Sequence, residues 1–220
     1  MKILVTRAWP KEAEDHLVAQ GLGDVTLRHP DSPMSKDEFM AAAEECDVIM
    51  PTVSDKIPPE FYPAASGKVK IMANYGVGFN HIDIDAARDN GIAVTNTPEV
   101  LTDCTADLAM GLMLTAARRI GEGERETRAG DWAGWRPTHM IGKKVTGATI
   151  GIVGFGRIGQ AMARRAHYGF GMQVVFQDAW QVPDDIKGSA TDGTRGGMGY
   201  RAIENLKAFL SGDTPGDLVT

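Results

Sequence analysis

The chain has 220 residues, a length that allows one large domain or two small ones, and its 43% hydrophobic residues are enough for a packed core. Its formal net charge of −6 provides no general attraction to nucleic-acid phosphates or anionic lipids, and no apolar run approaches the ~20 residues of a membrane span. We therefore expect a cytoplasmic globular protein that binds a small molecule, with neither nucleic acid nor membrane as a partner.

The first hundred residues alternate short β-branched or apolar runs with helical patterns. Strands are predicted at 2–6, 24–28, 47–50, 70–74 and 92–96, and helices near 11–20, 35–44 and 83–89. This alternation is typical of a parallel sheet flanked by helices. Because such sheets bind ligands beyond the carboxyl ends of their strands, we expect a site at the turns after Met50, Asn74 and Asn96.

The run TDCTADLAMGLMLTAARR predicts a helix over 102–119, capped by Thr102 or Asp103 and apolar on most faces. A chain this short has little with which to cover such a helix. We expect a second subunit to cover it, which makes the protein a homodimer through helix 102–119. A helix buried between two domains of one chain is the alternative.

A polar, glycine-rich segment at 122–147 contains Trp132 and Trp135 and is interpreted as a connection between domains. A new strand predicted at 148–153 then opens a second unit. The only cysteines, Cys46 and Cys104, form no CxxC motif or Cys/His cluster, which argues against a cysteine-rich zinc site. Both cysteines are expected to be small buried residues in a reducing compartment.

The GFGRIG stretch that follows the predicted strand is a GxGxxG pattern made by Gly154, Gly156 and Gly159. Gly154 permits a tight turn, Gly156 lets the backbone approach a pyrophosphate, and Gly159 lets helix and strand pack closely. The N-terminus of the next helix supplies N–H groups and partial positive charge for the anion. Arg157 can add a direct charge, and Ile158 belongs to the same first turn. We expect these five residues to bind a dinucleotide.

A further strand is predicted at 173–178 and ends in Asp178, close to the ~20-residue spacing after Gly154 expected of an acid that bonds the adenosine ribose hydroxyls. A carboxylate there would repel a 2′-phosphate, so NAD is favoured over NADP. A structural turn with a solvated Asp178 is the alternative interpretation.

Five motifs together resemble the D-2-hydroxyacid dehydrogenase family, in particular its glyoxylate/hydroxypyruvate reductase-like branch. They are NYGVGFNHIDIDAA at 74–87, GIAVTNTPEVLTDCTADLA at 91–109, the GW-PT segment at 134–138, GATIGIVGFGRIGQAMARRA at 147–166, and GSAT with MGYRAIENLKAFLSGDTP within 188–215. The resemblance implies a flavodoxin-like substrate domain from residues 1–100 and 186–220. Residues 101–185 would then form the dimerisation helix, the connection and a partial, truncated Rossmann unit.

The resemblance also implies roles for particular residues. The main-chain N–H groups of Val77 and Gly78 would hold the substrate carboxylate, in a turn whose form suits an anion. Val53 and Ser54 would line the same pocket, and Thr105 would face the nicotinamide. A tight turn without a ligand is the alternative for 75–80.

The family reduces small 2-oxo acids, such as glyoxylate and hydroxypyruvate, by hydride transfer from NAD(P)H, and this chemistry needs an electrophile and an acid. The family places an Arg in an ARGG-like turn, a Glu in a DVFExEP-like stretch and a His directly before GSAT. Here Asp184, Asp185, Ile186 and Lys187 precede GSAT, and Arg195 is interpreted as the start of the last helix. His81, nearest the predicted pocket, is interpreted as structural.

The span 148–185 has room for one strand–helix–strand unit of ~30 residues and not for the six strands of a full Rossmann domain. Two explanations account for this short span. The protein either has a real internal deletion, natural or engineered, or a stretch near Asp185 and Ile186 has been omitted from this sequence. A real deletion would leave an open sheet edge and an uncovered apolar face. The hypotheses are therefore an NAD-dependent 2-hydroxyacid dehydrogenase whose catalytic groups lie outside the sequence, or a catalytically inactive dimeric remnant. Phosphoglycerate and formate dehydrogenases are further enzyme alternatives.

Overall fold

The computed structural model describes residues 1–29, 31–177 and 194–219, and for residues 194–201 it describes the backbone alone. The chain divides into two compact units, one made of Met1–Leu101 with Gly193–Thr220 and the other of Thr102–Asp192. The domain boundary expected at 185/186 lies outside the described residues. In the described part of the chain, no helix combines the length and apolar character that crossing a membrane requires.

The first unit is built on a five-stranded, all-parallel sheet. Its strands are β1 (Lys2–Val5), β2 (Asp24–Leu27), β3 (Val48–Met50), β4 (Ile71–Ala73) and β5 (Ala93–Thr95). Their spatial order is β2-β1-β3-β4-β5, the order of flavodoxin-like folds. The predicted α/β fold with a parallel sheet is thus confirmed, each strand lying within its predicted run.

Helices cover both faces of this sheet. They are α1 (Lys11–Ala19), α2 (Lys36–Glu45), α3 (Phe61–Ala65), α4 (Ile84–Asp89) and α8 (Thr194–Ser211). The sequence patterns did not predict α3, because it is only five residues long and contains Pro63, which the first turn of a helix tolerates. Arg195 lies in the first turn of α8, as predicted.

Two apolar clusters form the core of the first unit, one on each face of the sheet. The cluster that includes Phe39, Phe61 and Tyr62 packs α2 and α3 onto one face. The other cluster joins Leu17 of α1 to Ile203 and Leu206 of α8, all fully buried. Leu210, in the last turn of α8, is 39% exposed.

The second unit contains two parallel strands with helices against them. Its elements are α5 (Thr102–Ala117), α6 (Ile120–Ala129), β6 (Thr149–Val153), α7 (Arg157–Arg164), a π-helical turn (Arg165–Gly169) and β7 (Gln173–Gln177). Ala106 and Met110 of α5 pack with Ala161, Met162 and Ala166 to form its core. Both strands, β6 and β7, lie within the runs predicted for them.

Two predictions for this unit were wrong at the level of single elements. The segment interpreted as a connection from residue 122 begins inside α6, a surface helix whose Arg128 pairs with Glu124 one turn away. The preceding helix ends at Ala117 instead of residue 119, since Arg119 adopts a left-handed conformation with φ 57°.

The two cysteines differ in environment, against the expectation that both are buried. Cys104 is exposed on α5, because its position in the helical repeat faces away from the core residues Ala106 and Met110. Cys46 is half-buried, and this burial raises the pKa of its thiol.

Apolar side chains on the two-stranded sheet are exposed. Val153 is 87% exposed, and Val175 and Phe176 are also largely accessible, although Phe176 stacks on Phe155 with ring centroids 3.9 Å apart. A patch of this kind is normally covered by neighbouring structure. In the part of this unit that the structure describes, these apolar side chains remain largely uncovered.

Candidate substrate and dinucleotide sites

The carboxyl ends of β3 and β4 bring two predicted segments of the site together. Thr52 and Tyr75 form a parallel bridge just beyond the two strands. A Cβ atom added to Gly76 would lie 2.7 Å from Cγ1 of Val53, so the loop after β3 lies directly against the turn after β4. Ser54 is exposed in the same loop, where its hydroxyl oxygen accepts a hydrogen bond of 2.6 Å from the Arg7 guanidinium.

The turn after β4 presents backbone donors at this edge. Neither the Val77 nor the Gly78 N–H group donates a hydrogen bond to any other part of the chain that the structure describes. Gly78 is exposed and Val77 half-buried, so a ligand can reach them. Successive N–H groups of this kind form an anion-binding concavity.

A buried carboxylate, which the sequence patterns did not single out, anchors the loop after β3. Asp55 is 1% exposed, and its Oδ2 accepts hydrogen bonds from the Thr6 hydroxyl and, at 2.8 Å, from the Thr52 N–H. These bonds tie the loop to the end of β1. The only local signal is the spacing of Thr52 and Asp55, since an Asp side chain often bonds a nearby backbone N–H in a turn.

His81 lies close enough to Asp55 for their charges to interact. Burial lowers the pKa of His81 and the Asp55 carboxylate raises it, with a net lowering, so the imidazole is neutral at neutral pH. Its Nε2 atom is buried and has no hydrogen-bond partner among the described residues. No described residue forms a hydrogen bond with His81 that would support a role in catalysis, and its structural role stays a prediction.

The GxGxxG turn joins β6 to α7 with the backbone geometry that a phosphate-binding turn requires. Gly154 has φ +88°, a conformation that side chains disfavour. A Cβ at Gly159 would lie 2.2 Å from the Gly154 carbonyl oxygen, so helix and strand approach too closely for any side chain. A Cβ at Gly156, in contrast, would meet nothing within 4 Å, which leaves that surface open to a ligand.

The N-terminus of α7 is suited to a pyrophosphate. Gly156 is its N-cap residue, and no side chain in the described structure caps the helix. The backbone N–H groups of the first turn and the helix dipole are therefore available to an anion. Arg157 and Ile158 are the first two residues of the helix. The backbone geometry of this turn and helix N-terminus therefore fits the pyrophosphate of a dinucleotide.

The remaining predicted residues fall in different places. Thr105 is half-buried on α5. The sequence patterns missed the residue that holds α5 in place: Arg165, in the π-helical turn, pairs with Asp103 at 2.9 Å and with Asp107 at 2.6 Å.

Asp178 and the GSAT motif lie outside the described residues, as does the junction at 185/186. Within the described ranges, no group of three or more His, Cys, Asp or Glu residues could hold a metal ion.

Comparison with known proteins agrees with the fold and the motifs. Residues 3–220 match the family model described as "D-isomer specific 2-hydroxyacid dehydrogenase, catalytic domain". The chain is 38% identical over 209 residues to a glyoxylate reductase of Thermococcus kodakarensis, an alignment that covers 93% of this chain and 60% of that protein. It is 39% identical over 188 residues to a glycerate dehydrogenase of Hyphomicrobium methylovorum, covering 86% of this chain and 58% of that protein.

Among solved structures, the TT0316 protein of Thermus thermophilus matches with a TM-score of 0.85 and 29% identity, over 100% of both chains. The chain nevertheless spans only slightly more than half the length of the curated relatives named above. Because the family model matches almost every residue, from Ile3 to Thr220, this chain belongs to the D-isomer specific 2-hydroxyacid dehydrogenases.

Proposed function

We propose that the first unit binds a small 2-oxo or 2-hydroxy acid by its carboxylate, and that the whole protein reduces glyoxylate or hydroxypyruvate with a nicotinamide cofactor in the cytoplasm. The observation that carries the proposal is the pair of unbonded N–H groups of Val77 and Gly78 beside the Val53 loop. Backbone donors of this kind bind a carboxylate without a charged side chain. The named relatives, a glyoxylate reductase and a glycerate dehydrogenase, suggest the substrate class.

The cofactor in this proposal is NAD, held at the turn from Gly154 to Gly159. The first-turn N–H groups and Arg157 would hold the pyrophosphate, Ile158 and Thr105 would contact the cofactor, and Asp178 would bond the ribose and disfavour NADP. Bound NADH supplies the hydride. The chain's own contribution is to orient the acid and the cofactor and to shape the surfaces on which they bind.

Turnover also requires a group that polarises the carbonyl and an acid that protonates its oxygen. The Arg, Glu and His that would do this in the family are absent from the sequence, so we propose that the 220-residue chain binds its ligands without sustained turnover. The exposed Val153 and Phe176 fit the absence of the strands that would carry those groups. They also favour the second candidate function, a non-catalytic dimeric remnant.

Titration of the chain with NADH and with oxalate, followed by an absorbance assay with NADH and glyoxylate, separates these candidates. We expect both ligands to bind and no sustained oxidation of NADH. Sustained oxidation would overturn the assignment of the missing catalytic groups, whereas binding of neither ligand would leave the remnant as the better account. An intact mass well above 23.7 kDa would show that the protein has residues beyond this sequence.

Gly156→Val is the matched variant for the cofactor site. The added side chain has open space around it, and the extended backbone at this position (φ −68°, ψ −168°) accepts valine. We therefore expect loss of NADH binding with unchanged thermal stability and unchanged oxalate binding. Unchanged NADH affinity would contradict the placement of the pyrophosphate.

We also propose that α5 forms a homodimer interface. Leu108 and Leu112 are 63% and 60% exposed and lie one turn apart on one side of the helix, with Cys104 and Thr115 exposed on the same side. Leu112→Lys should convert a dimer to a monomer in sedimentation velocity. Val18→Lys, at a comparably exposed position on α1, should leave the dimer intact. A wild-type monomer at micromolar concentration would overturn this proposal.

A further inference from the structure

Three consecutive carbonyl groups of the proposed carboxylate-binding turn are held by two side-chain amides. The Nδ2 atom of Asn74 donates to the carbonyl oxygens of Gly76 and Gly78, each at 3.0 Å. The Nδ2 atom of Asn96 donates to the carbonyl oxygen of Val77 at 2.9 Å. The Thr97 N–H adds a second donor to the Gly76 carbonyl, at 3.0 Å.

Holding these carbonyls determines where the proposed ligand-binding N–H groups point. In a planar trans peptide, the C=O of one residue and the N–H of the next point in opposite directions. The Gly76 C=O points toward the Asn74 side chain, which donates to it. The Val77 N–H, in the same peptide group, therefore points away from Asn74. In the same way, Asn96 directs the Gly78 N–H by holding the Val77 carbonyl.

The backbones of both asparagines are held by the sheet and by the C-terminal part of the chain. Asn74 directly follows β4, is fully buried, and donates its own N–H to the Thr95 carbonyl at 2.9 Å. Asn96 follows β5, and its carbonyl oxygen accepts a hydrogen bond of 3.0 Å from Asn205 of α8. The turn is thus oriented before any ligand arrives, which lowers the ordering cost of binding.

We propose that Asn74 and Asn96 are positioning residues that direct the Val77 and Gly78 N–H groups toward the carboxylate of the ligand. Affinity for a small 2-oxo acid then depends on two side chains that act through the turn. This inference rests on the carboxylate site proposed above and deepens it by naming what holds that site in a binding-competent form.

The variant Asn74→Leu tests the proposal most directly. Leucine has nearly the same shape as asparagine but no donor, and the Oδ1 atom of Asn74 has no hydrogen-bond partner among the described residues, so its loss removes no bond. Two hydrogen bonds of ordinary strength correspond to a loss of oxalate affinity of about thirtyfold. Asn96→Ala removes one bond from a half-buried side chain and should cost about fivefold.

The measurement is a calorimetric titration of the full 220-residue chain with oxalate, together with the ¹⁵N NMR signals of Val77 and Gly78. In both variants these two signals should shift in the free protein and respond less to oxalate. Asn90→Ala is the matched control, because Asn90 also donates from its side chain to a backbone carbonyl of the first unit, that of Ala86 at 2.9 Å. It should bind oxalate as the wild type does.

The outcomes separate this inference from the function on which it rests. A wild-type chain that does not bind oxalate overturns the carboxylate site and, with it, the inference. A wild-type chain that binds, with both variants binding equally well, leaves the site standing and overturns the positioning role. If Asn74→Leu fails to fold, Asn96→Ala decides: a loss of affinity supports the role, and unchanged affinity overturns it.

Discussion

Gly159 shows how the absence of a single side chain shapes the dinucleotide turn. Its Cα lies so close to β6 that an added Cβ would meet the Gly154 carbonyl oxygen at 2.2 Å and Cγ2 of Ile152 at 3.3 Å. Backbone atoms cannot move aside as a flexible side chain can. The spacing of glycines in the sequence indicated this contact, because a GxGxxG turn needs close packing of helix on strand.

Gly159→Ala should therefore destabilise the second unit. Overpacking of this kind costs about 1 to 3 kcal/mol in the free energy of unfolding, measurable by urea denaturation. NADH affinity should fall as well, because α7 must move. Gly169→Ala is the control, since its Cβ would meet nothing within 4 Å. Equal denaturation midpoints for the two variants would contradict the close contact.

Helix α2 shows how much of an element can be specified locally. The Ser35 hydroxyl oxygen accepts a hydrogen bond from the Glu38 N–H at 3.2 Å, and the Glu38 carboxylate accepts one from the Ser35 N–H at 2.7 Å. This reciprocal pair is a capping box, which starts the helix at Lys36. The Ser35 N–H and then the Arg28 guanidinium lower the pKa of Glu38 from 4.5 to about 2.

This lowered pKa makes part of the stability pH-dependent. The folded state binds the Glu38 proton less tightly than the unfolded state, so the contribution is fully present above pH 4.5 and is lost as the pH falls toward about 2. In Glu38→Gln, the urea midpoint should fall less between pH 5 and about 2 than it does in the wild type.

Glu44→Gln is the control for this experiment, because Glu44 is exposed on the same helix and no ion pair of its side chain occurs in the described structure. It should show the wild-type pH dependence. If Glu38→Gln shows the same decline as the wild type, Glu38 does not contribute through its charge.

Each unit of the whole molecule has a core of its own, and the first unit needs the far end of the chain to complete its core. Ile203 and Leu206 of α8 are fully buried in the cluster that also contains Leu17 of α1. The core of the second unit consists of residues from α5, α7 and their neighbours. The C-terminal segment is therefore part of the structure that supports the proposed carboxylate site.

Leu206→Ala should destabilise the first unit by about 2 to 5 kcal/mol, because it leaves a cavity in a fully buried cluster. Hydrogen exchange should show faster opening of β1, β3 and β4 and unchanged protection of β6 and α7. Leu210→Ala, at a position that is 39% exposed, should change stability by less than about 1 kcal/mol. Equal loss of protection in both units would show that they do not unfold separately.

The sequence by itself determined the features that depend on near neighbours along the chain. Strand and helix periods, the capping box at Ser35 and the glycine spacing of the dinucleotide turn all act within a few residues, so a single segment carries their signal. The same local patterns also failed to predict two helices. The short α3 and the polar α6 escaped prediction because proline and glycine obscure a helical pattern.

Only the tertiary structure decided the strand order and the surroundings of the proposed site. The contact of Val53 with Gly76, the amide of Asn96 on the Val77 carbonyl, and the bond from Thr6 to Asp55 all join segments that are distant in sequence. No repeat or spacing encodes such pairs, because they arise only when neighbouring parallel strands place their carboxyl ends at one edge of the sheet.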